Sequence, residues 1–459
     1  MMGERTVMQE ALFVGFSIER HVPADHMLRR IDRFVDLSGV RAHVAPFYSD
    51  VGRPSVDPEL MIRMLLVGYC YGIRSERRLC EEVHLNLAYR WFCRLSLDAD
   101  VPDHSTFSKN RHGRFRDSDL LRQVFETVVG RCMAEGLVGG EGFAVDASMI
   151  VADAHRQRGV AGTADLDPAS NRAVTEYLAV LDDAAFGGAT DVEPKFVSPT
   201  DPAARWTAAK GGPAVYAYAD NYLIDLKHAV IVDVEATTAV RQAEVTAAKT
   251  MIDRTAERLG VTPERLAADT GYGSAEMLAW LVDERKIEPH IPVFDKSKRT
   301  DGTFSRDDFT YDADADAYTC PAGKPLRRRR RRRRLAKRWA AMTPPKSVNY
   351  RAAKRNCGVC PLKPKCCPLE PVRRVTRSIH EAARDKARAI AKTEAYVVSR
   401  RQRKKVEMLF AHLKRILRLD RLRLRGPCGA RDEFLLAATA QNLRKLAKLI
   451  PAPALARAT

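Results

Sequence analysis

Hydrophobic and polar positions along the chain change period several times, and each change marks a change of predicted element. From Pro58 to Phe115 the period is helical: Asp57-Pro58 supply a cap and a first-turn residue, and Leu60, Met64 and Val67 fall on one face. After a break at Gly72-Ile-Arg-Ser75, Leu79, Val83 and Leu87 recur four apart behind Arg74, Arg77 and Arg78. That pattern is a helical hairpin which either lies against DNA through its arginines or simply packs. From Glu141 to Met149 the period becomes two, with Phe143, Val145, Ala147 and Met149 facing opposite Ala144, Asp146 and Ser148. Two β-rich segments, Ala214–Asp225 and His228–Thr237, precede a helix from Glu244 to Leu259 closed by Gly260. Leu266-Ala-Ala-Asp269 then reads as a short strand, Thr270-Gly-Tyr-Gly273 as a turn, and Ser274 as the cap of a helix bearing Met277, Trp280 and Leu281. Near the end, Val406, Leu409, Phe410, Leu413, Ile416 and Leu417 form a helical apolar stripe. Arg418–Arg425 alternates bases with leucines as a cationic strand or loop, and Phe434–Ile450 is a final amphipathic helix.

Charge narrows the partner. The 459 residues carry a formal net charge of +19, and 45% hydrophobic composition can fill real cores. So large an excess of Lys and Arg favours a polyanion, because each cation that neutralises a phosphate releases a condensed counterion. Nucleic acid leads. An acidic membrane surface is weaker, since apolar runs such as Met64-Leu-Leu-Val are far too short to span. The segment Met1–Phe16 lacks the features of a secretion leader, so a cytoplasmic, reducing location is expected, associated with the nucleoid, and the ten cysteines are expected to be thiols or metal ligands.

Three acids then stand out. Asp146 interrupts an apolar strand, where a carboxylate is costly unless solvated or used. Asp269 ends a strand above a glycine turn, a common catalytic position, although an Asp that merely starts a turn is common too. Glu407 is isolated in the basic segment Arg400-Arg-Gln-Arg-Lys-Lys-Val-Glu407, where Arg400, Arg403, Glu407 and Lys414 share roughly one helical face. The plain reading of Glu407 is an i, i+4 ion pair with Arg403, which stabilises by only about 0.3–0.5 kcal/mol.

These acids, in this order, resemble the DDE transposases of bacterial insertion sequences, in the branch with a helical N-terminal domain and an insertion before the Glu. The matching residues are Pro102-Asp-His-Ser-Thr-Phe-Ser108, Val145-Asp-Ala-Ser148, Ser198-Pro-Thr-Asp-Pro-Ala-Ala-Arg205, Ala268-Asp-Thr-Gly-Tyr-Gly273, Arg403-Lys-Lys-Val-Glu407 with Lys414, and Asn442-Leu-Arg-Lys-Leu446. The resemblance implies an α/β fold with a ribonuclease H-like mixed sheet flanked by helices. It implies that Asp146, Asp269 and Glu407 are catalytic and hold two Mg²⁺ or Mn²⁺ ions, with Asp146 bridging, and that Arg403 and Lys414 bind DNA phosphate. Oxygen-only ligands suit Mg²⁺, and a pair of divalent ions can both activate water and neutralise charge at phosphorus. The family's tyrosine in this helix is replaced by Arg400, and Tyr396 lies one turn earlier. Arg400 is left without a role.

The stretch between Asp269 and Glu407 is longer than a ribonuclease H core requires. It opens with short β segments at Thr303-Phe-Ser-Arg and Phe309-Thr-Tyr311 and contains Cys320, Cys357-Gly-Val-Cys360 and Cys366-Cys367. Two readings fit: a tetrahedral zinc site of Cys320, Cys357, Cys360 and Cys366 or Cys367, or reduced, partly buried thiols in a small loop-rich subdomain. Cys70, Cys80, Cys93, Cys132 and Cys428 are scattered through helical patterns as small core residues. A run of eight arginines, Arg327 to Arg334, is either a solvated loop or a phosphate clamp, with Arg327, Arg330 and Arg334 as candidate contacts.

The expected organisation is a helical DNA-binding domain over 1–135, the first part of the catalytic core over 136–295, the basic Cys-containing insertion over 296–375, the C-terminal helices of the core over 376–450 and a tail over 451–459. The expected function is metal-dependent cleavage of double-stranded DNA at the ends of an insertion sequence and strand transfer to target DNA, by a dimer or higher oligomer. Three alternatives compete: a non-catalytic DNA-binding regulator, a ribonuclease H-like nuclease without strand transfer, and an electrostatic nucleic-acid scaffold. The scaffold explains the charge but not the ordered acids.

Overall fold

The computed structural model describes residues 16–49, 51–52, 54–162, 166–188, 192–208, 211–295, 301–328 and 347–451. Arg330, Arg334 and all of the tail except Pro451 lie outside the described residues. Packing divides the chain into two units: the first comprises Met1–Gly140, Ala144–Thr262 and Lys404–Thr459, the second Glu141–Phe143 and Pro263–Arg403. The fold class is mixed α/β with a helical N-terminal region, as the sequence leads one to expect.

In the first unit, helices Pro58–Tyr71 and Glu76–Leu85 are separated at Gly72. Asp57 caps the first by accepting the Glu59 N–H at 3.1 Å, and Ser75 caps the second by accepting from Arg78 N–H. Gly72 has φ +69°, and a Cβ there would meet the Ile416 carbonyl oxygen at 2.8 Å, so glycine is required both by conformation and by space. The 58–71 helix is not amphipathic in the expected one-faced way. Met61, Ile62, Met64, Leu65, Leu66 and Val67 are all buried, because the helix Gly426–Leu449 packs against it within the same unit. That last helix begins eight residues before Phe434, with Pro427 in its first turn.

The strands, in chain order, are β1 (Gly142–Val151), β2 (Val160–Ala161), β3 (Phe196–Val197), β4 (Arg205–Thr207), β5 (Val215–Asp225) and β6 (Ile231–Thr238). β5 lies between β1 and β4, and also pairs antiparallel with β6 from Tyr218↔Thr238 to Ile224↔Ile231. Every residue of β6 is buried, because the helices Arg241–Leu259 and Gly426–Leu449 both pack on it. Asn442 fixes the second of these helices, accepting the Ile231 N–H at 2.9 Å and donating to the Ile231 carbonyl at 2.8 Å. The 418–425 segment forms no extended strand. Leu419 and Leu422 turn inward, Leu422 N–H bonds the Val151 carbonyl at 2.8 Å, and Arg421 and Arg425 pair with Asp153.

The second unit contains β7 (Arg265–Ala267) and β8 (Glu288–His290), which pair in parallel. The insertion is more regular than its sequence suggests. β9 (Thr310–Asp312), β10 (Ala317–Thr319), β11 (Pro325–Arg328), β12 (Ser347–Ala352) and β13 (Arg374–Ser378) form a five-stranded sheet in the order β13-β12-β11-β10-β9, with each neighbouring pair antiparallel. Phe309, Tyr318, Leu326, Tyr350, Val372 and Val375 give it a core of its own. Thr303–Arg306, expected as a β segment, is not a strand. The helix Glu381–Ile390 is tied into the unit by Asp295 and buried Glu381, which share Arg306, Arg384 and Arg388 at 2.6–3.3 Å.

Candidate active site

In the second unit, β7 delivers the chain to Asp269, whose extended backbone opens a single 3-10 turn, Thr270–Tyr272. The Asp269 carboxylate accepts the Gly271 N–H at 2.7 Å, which fixes its direction. Gly273 closes the turn against the loop after β8: Phe294 N–H bonds the Gly273 carbonyl at 2.9 Å, and a Cβ on Gly273 would stand 2.1 Å from the Pro292 carbonyl oxygen. Ser274 then caps the next helix by accepting the Met277 N–H at 3.2 Å.

These constraints shape a cleft of about 370 Å³ lined by Asp269, Thr270, His290, Tyr396, Arg400 and Arg403, among others. It thus brings together one of the three sequence-predicted acids and one of the predicted phosphate-binding residues. It also contains three residues to which sequence reasoning gave no role. Tyr396, Arg400 and Arg403 are spaced i, i+4, i+7 on the helix Glu394–Arg415, so their common face was readable from spacing. His290 carried no such signal. Its ring lies 6.1 Å from that of Tyr396, and its Nδ1 has no hydrogen-bond partner among the described residues. Burial, reinforced by Arg265, holds the His290 pKa below its usual value.

The first unit holds Asp146 and Glu407. Asp146 follows the fully buried triplet Phe143-Ala144-Val145 on β1, where both strand faces are covered, and is itself partly exposed. One of its oxygens accepts the Ala147 N–H at 2.9 Å. Glu407 is exposed on the helix Glu394–Arg415, while Val406, Leu409, Phe410 and Leu413 turn inward and Phe410 stacks on Tyr222 at 4.8 Å. Ile416, expected in that stripe, is 48% exposed. All three acids therefore reach solvent to some degree, which carboxylates that share a hydrated ion with substrate require. Among the described residues, no three His, Cys, Asp or Glu groups are gathered so as to hold a metal ion.

Other predicted residues divide between surface and interior. Lys414 is half-buried; burial pushes its pKa down, while Asp220 and Asp420 oppose the shift. Arg327 lies exposed on β11 opposite Arg351. Arg74, expected at a DNA-facing hairpin, is instead buried against Glu433 and stacked 4.3 Å over Tyr69, leaving Arg77 and Arg78 exposed. The 198–205 match is structural: Asp201 accepts the Tyr218 hydroxyl at 2.5 Å, and Arg205 bonds the Pro202 carbonyl and the Tyr177 hydroxyl. Cys70, Cys93 and Cys132 are buried core thiols whose pKa values burial pushes up to about 12. Among the described residues, no helix is long and apolar enough to cross a membrane.

Comparison with known families gives two matches. Residues 16–113 match a model described as a transposase domain (DUF772). Residues 319–447, which include Glu407, Lys414 and the five cysteines of the insertion, match a model described as a transposase DDE domain.

Proposed function

The chain belongs to the DDE transposases of insertion-sequence type, and from that premise we propose that it cuts double-stranded DNA at the ends of its element and joins the freed 3′ ends to target DNA. Asp146, Asp269 and Glu407 are the proposed catalytic acids on a ribonuclease H-like core. Their donor set, three carboxylates with access to solvent, fits two Mg²⁺ or Mn²⁺ ions. Such ions supply a hydroxide-like water and neutralise the charge that builds on the reacting phosphate.

The observation that carries this reading is the cleft in the second unit, where Asp269 shares one concave surface with Arg400 and Arg403. A metal-binding acid beside two guanidinium groups suits a phosphodiester, since each guanidinium can donate two parallel hydrogen bonds to phosphate oxygens. Arg403 and Arg400 hold and orient the strand there; Lys414, in the first unit, is a separate phosphate contact, and the arginine run beginning at Arg327 is a nonspecific phosphate clamp. In the first step a water oxygen bonds to phosphorus as the bond to the 3′ oxygen breaks, leaving a 3′-hydroxyl and a 5′-phosphate. In the second, that 3′-hydroxyl attacks a target phosphodiester, the target's own 3′ oxygen leaves with the proton, and the number of phosphodiester bonds is unchanged. Neither step needs a covalent enzyme intermediate. Pairing two element ends calls for at least two copies of the chain.

The test is a cleavage and strand-transfer assay on DNA that carries the sequences flanking the gene, searched for inverted repeats, with Mg²⁺ or Mn²⁺. Cutting at the repeat ends followed by joining supports the proposal. Cutting without joining identifies a nuclease, and binding without cutting a regulator; either outcome overturns it.

A further inference from the structure

The cysteines of the insertion are scattered in sequence but line one small cavity. Cys320, Cys357, Cys360, Cys366 and Cys367 surround a space of about 30 Å³, enough for one ion-sized or water-sized occupant. They come from three segments packed against the β9–β13 sheet core: Cys320 from the β10–β11 hairpin, Cys357 and Cys360 from the short helix Lys354–Gly358 and the residues after it, and Cys366 and Cys367 from the end of the short helix Lys363–Cys366. If the cysteines served only as small hydrophobes, five thiols around one gap would be a poor filling, because aliphatic side chains would close it better.

Two further features of the cavity suit ligation of a cation by sulfur. In the hairpin Cys320-Pro-Ala-Gly-Lys324, Gly323 adopts φ +71° and the Lys324 N–H is directed at the Cys320 sulfur at 3.3 Å. An amide directed at sulfur is the kind of outer contact that orients a ligand at a metal site. The charged groups lining the cavity are all cations, Lys324, Lys363 and Arg373, with no carboxylate or imidazole among its lining residues. A divalent ion bound by four thiolates carries a net charge of about −2, which such a cationic wall offsets.

We propose that Cys320, Cys357, Cys360 and Cys366 bind one Zn²⁺ as a structural site, with release of the four thiol protons to solvent. Among the described residues no three of these thiols are gathered as ligands: Cys367 hydrogen-bonds to both Cys366 and Cys357, and burial pushes the Cys366 thiol up to about 11. Each cysteine has a single side-chain torsion, so rotation about χ1 is the adjustment that binding requires. The ion would pin the three segments against the sheet that carries Arg327 and Arg328. This inference does not rest on the proposed catalytic function.

The full chain, purified without chelator, should contain one zinc per chain by mass spectrometry. C320S and C360S should each lose it, while C70S, C367S and Asp269→Asn should keep it. Replacing zinc by Co²⁺ in the wild-type chain should give intense tetrahedral d–d absorption and a thiolate-to-cobalt charge-transfer band, a readout that needs no variant to fold. Less than half an equivalent of zinc with no such cobalt spectrum overturns the proposal, as does zinc retained in both C320S and C360S. Loss in C367S with retention in C366S overturns the choice of fourth ligand.

Discussion

Asn442 satisfies both backbone groups of Ile231, accepting its N–H at 2.9 Å and donating to its carbonyl at 2.8 Å. Side chain and strand are fully buried, so no water can replace either bond. Asn442→Leu, close in size, would leave both groups unpaired. The expected cost is about 2–4 kcal/mol, from two orphaned buried backbone groups, read as a fall in the thermal midpoint. An unchanged midpoint would show that the clamp does not hold the last helix to β6.

The buried Asp201 sets a pH dependence. Burial pushes its pKa up to about 7, although the Tyr218 hydroxyl and nearby charge oppose this. The folded state therefore holds a proton that the unfolded chain releases near pH 4. The contribution is fully present below about pH 4 and is lost as pH rises through about 7. Asp201→Asn keeps an acceptor for Tyr218 and cannot ionise. Between pH 5 and 8 the wild-type midpoint should fall relative to that of the variant; parallel midpoints would show that Asp201 does not titrate in this window.

Arg400 and Arg403 should matter through DNA, not through folding. Replacing either with Ala removes a charge-assisted hydrogen bond worth about 1.5–3 kcal/mol. Affinity for end DNA should fall roughly tenfold to a hundredfold, with little change in melting. Wild-type affinity in both variants would remove the cleft from the DNA path. Lys in place of Arg should restore charge but not the paired hydrogen bonds, and so only part of the affinity.

Neutralising several residues of the run from Arg327 to Arg334 should weaken binding about equally on all sequences. The slope of log affinity against log salt should become shallower by about one unit for each phosphate that the variant no longer neutralises. Equal slopes for wild type and variant would leave the run as a solvated loop.

Much of this was legible in the sequence where local rules act. Asp57-Pro58 and Ser274 capped the helices they were expected to cap, the two-residue period found β1, and Gly260 ended its helix with φ +67°. What was missed depends on partners distant in sequence. Arg74 looked like a surface cation until Glu433, far along the chain, supplied its partner. Most of the insertion's sheet was missed because β9, β10 and β11, of three or four residues, hold too few positions to display a period, and β12 pairs with β11 across a long gap in sequence. His290 entered the cleft through the β7–β8 pairing, which no local pattern encodes. Glu407 could be singled out by its isolation among cations, whereas Arg400 gained a candidate role only when it lined the same cleft as Asp269.

The central claim is that Asp146, Asp269 and Glu407 perform the chemistry, and single Ala replacements test it most directly. Cleavage of end DNA in Mg²⁺ should fall by roughly a thousandfold or more, the scale of losing a principal charge-stabilising group. DNA affinity, measured in the absence of divalent ions, should stay within a few-fold of wild type, since the cations remain. Cleavage that survives any one of the three replacements would contradict the account.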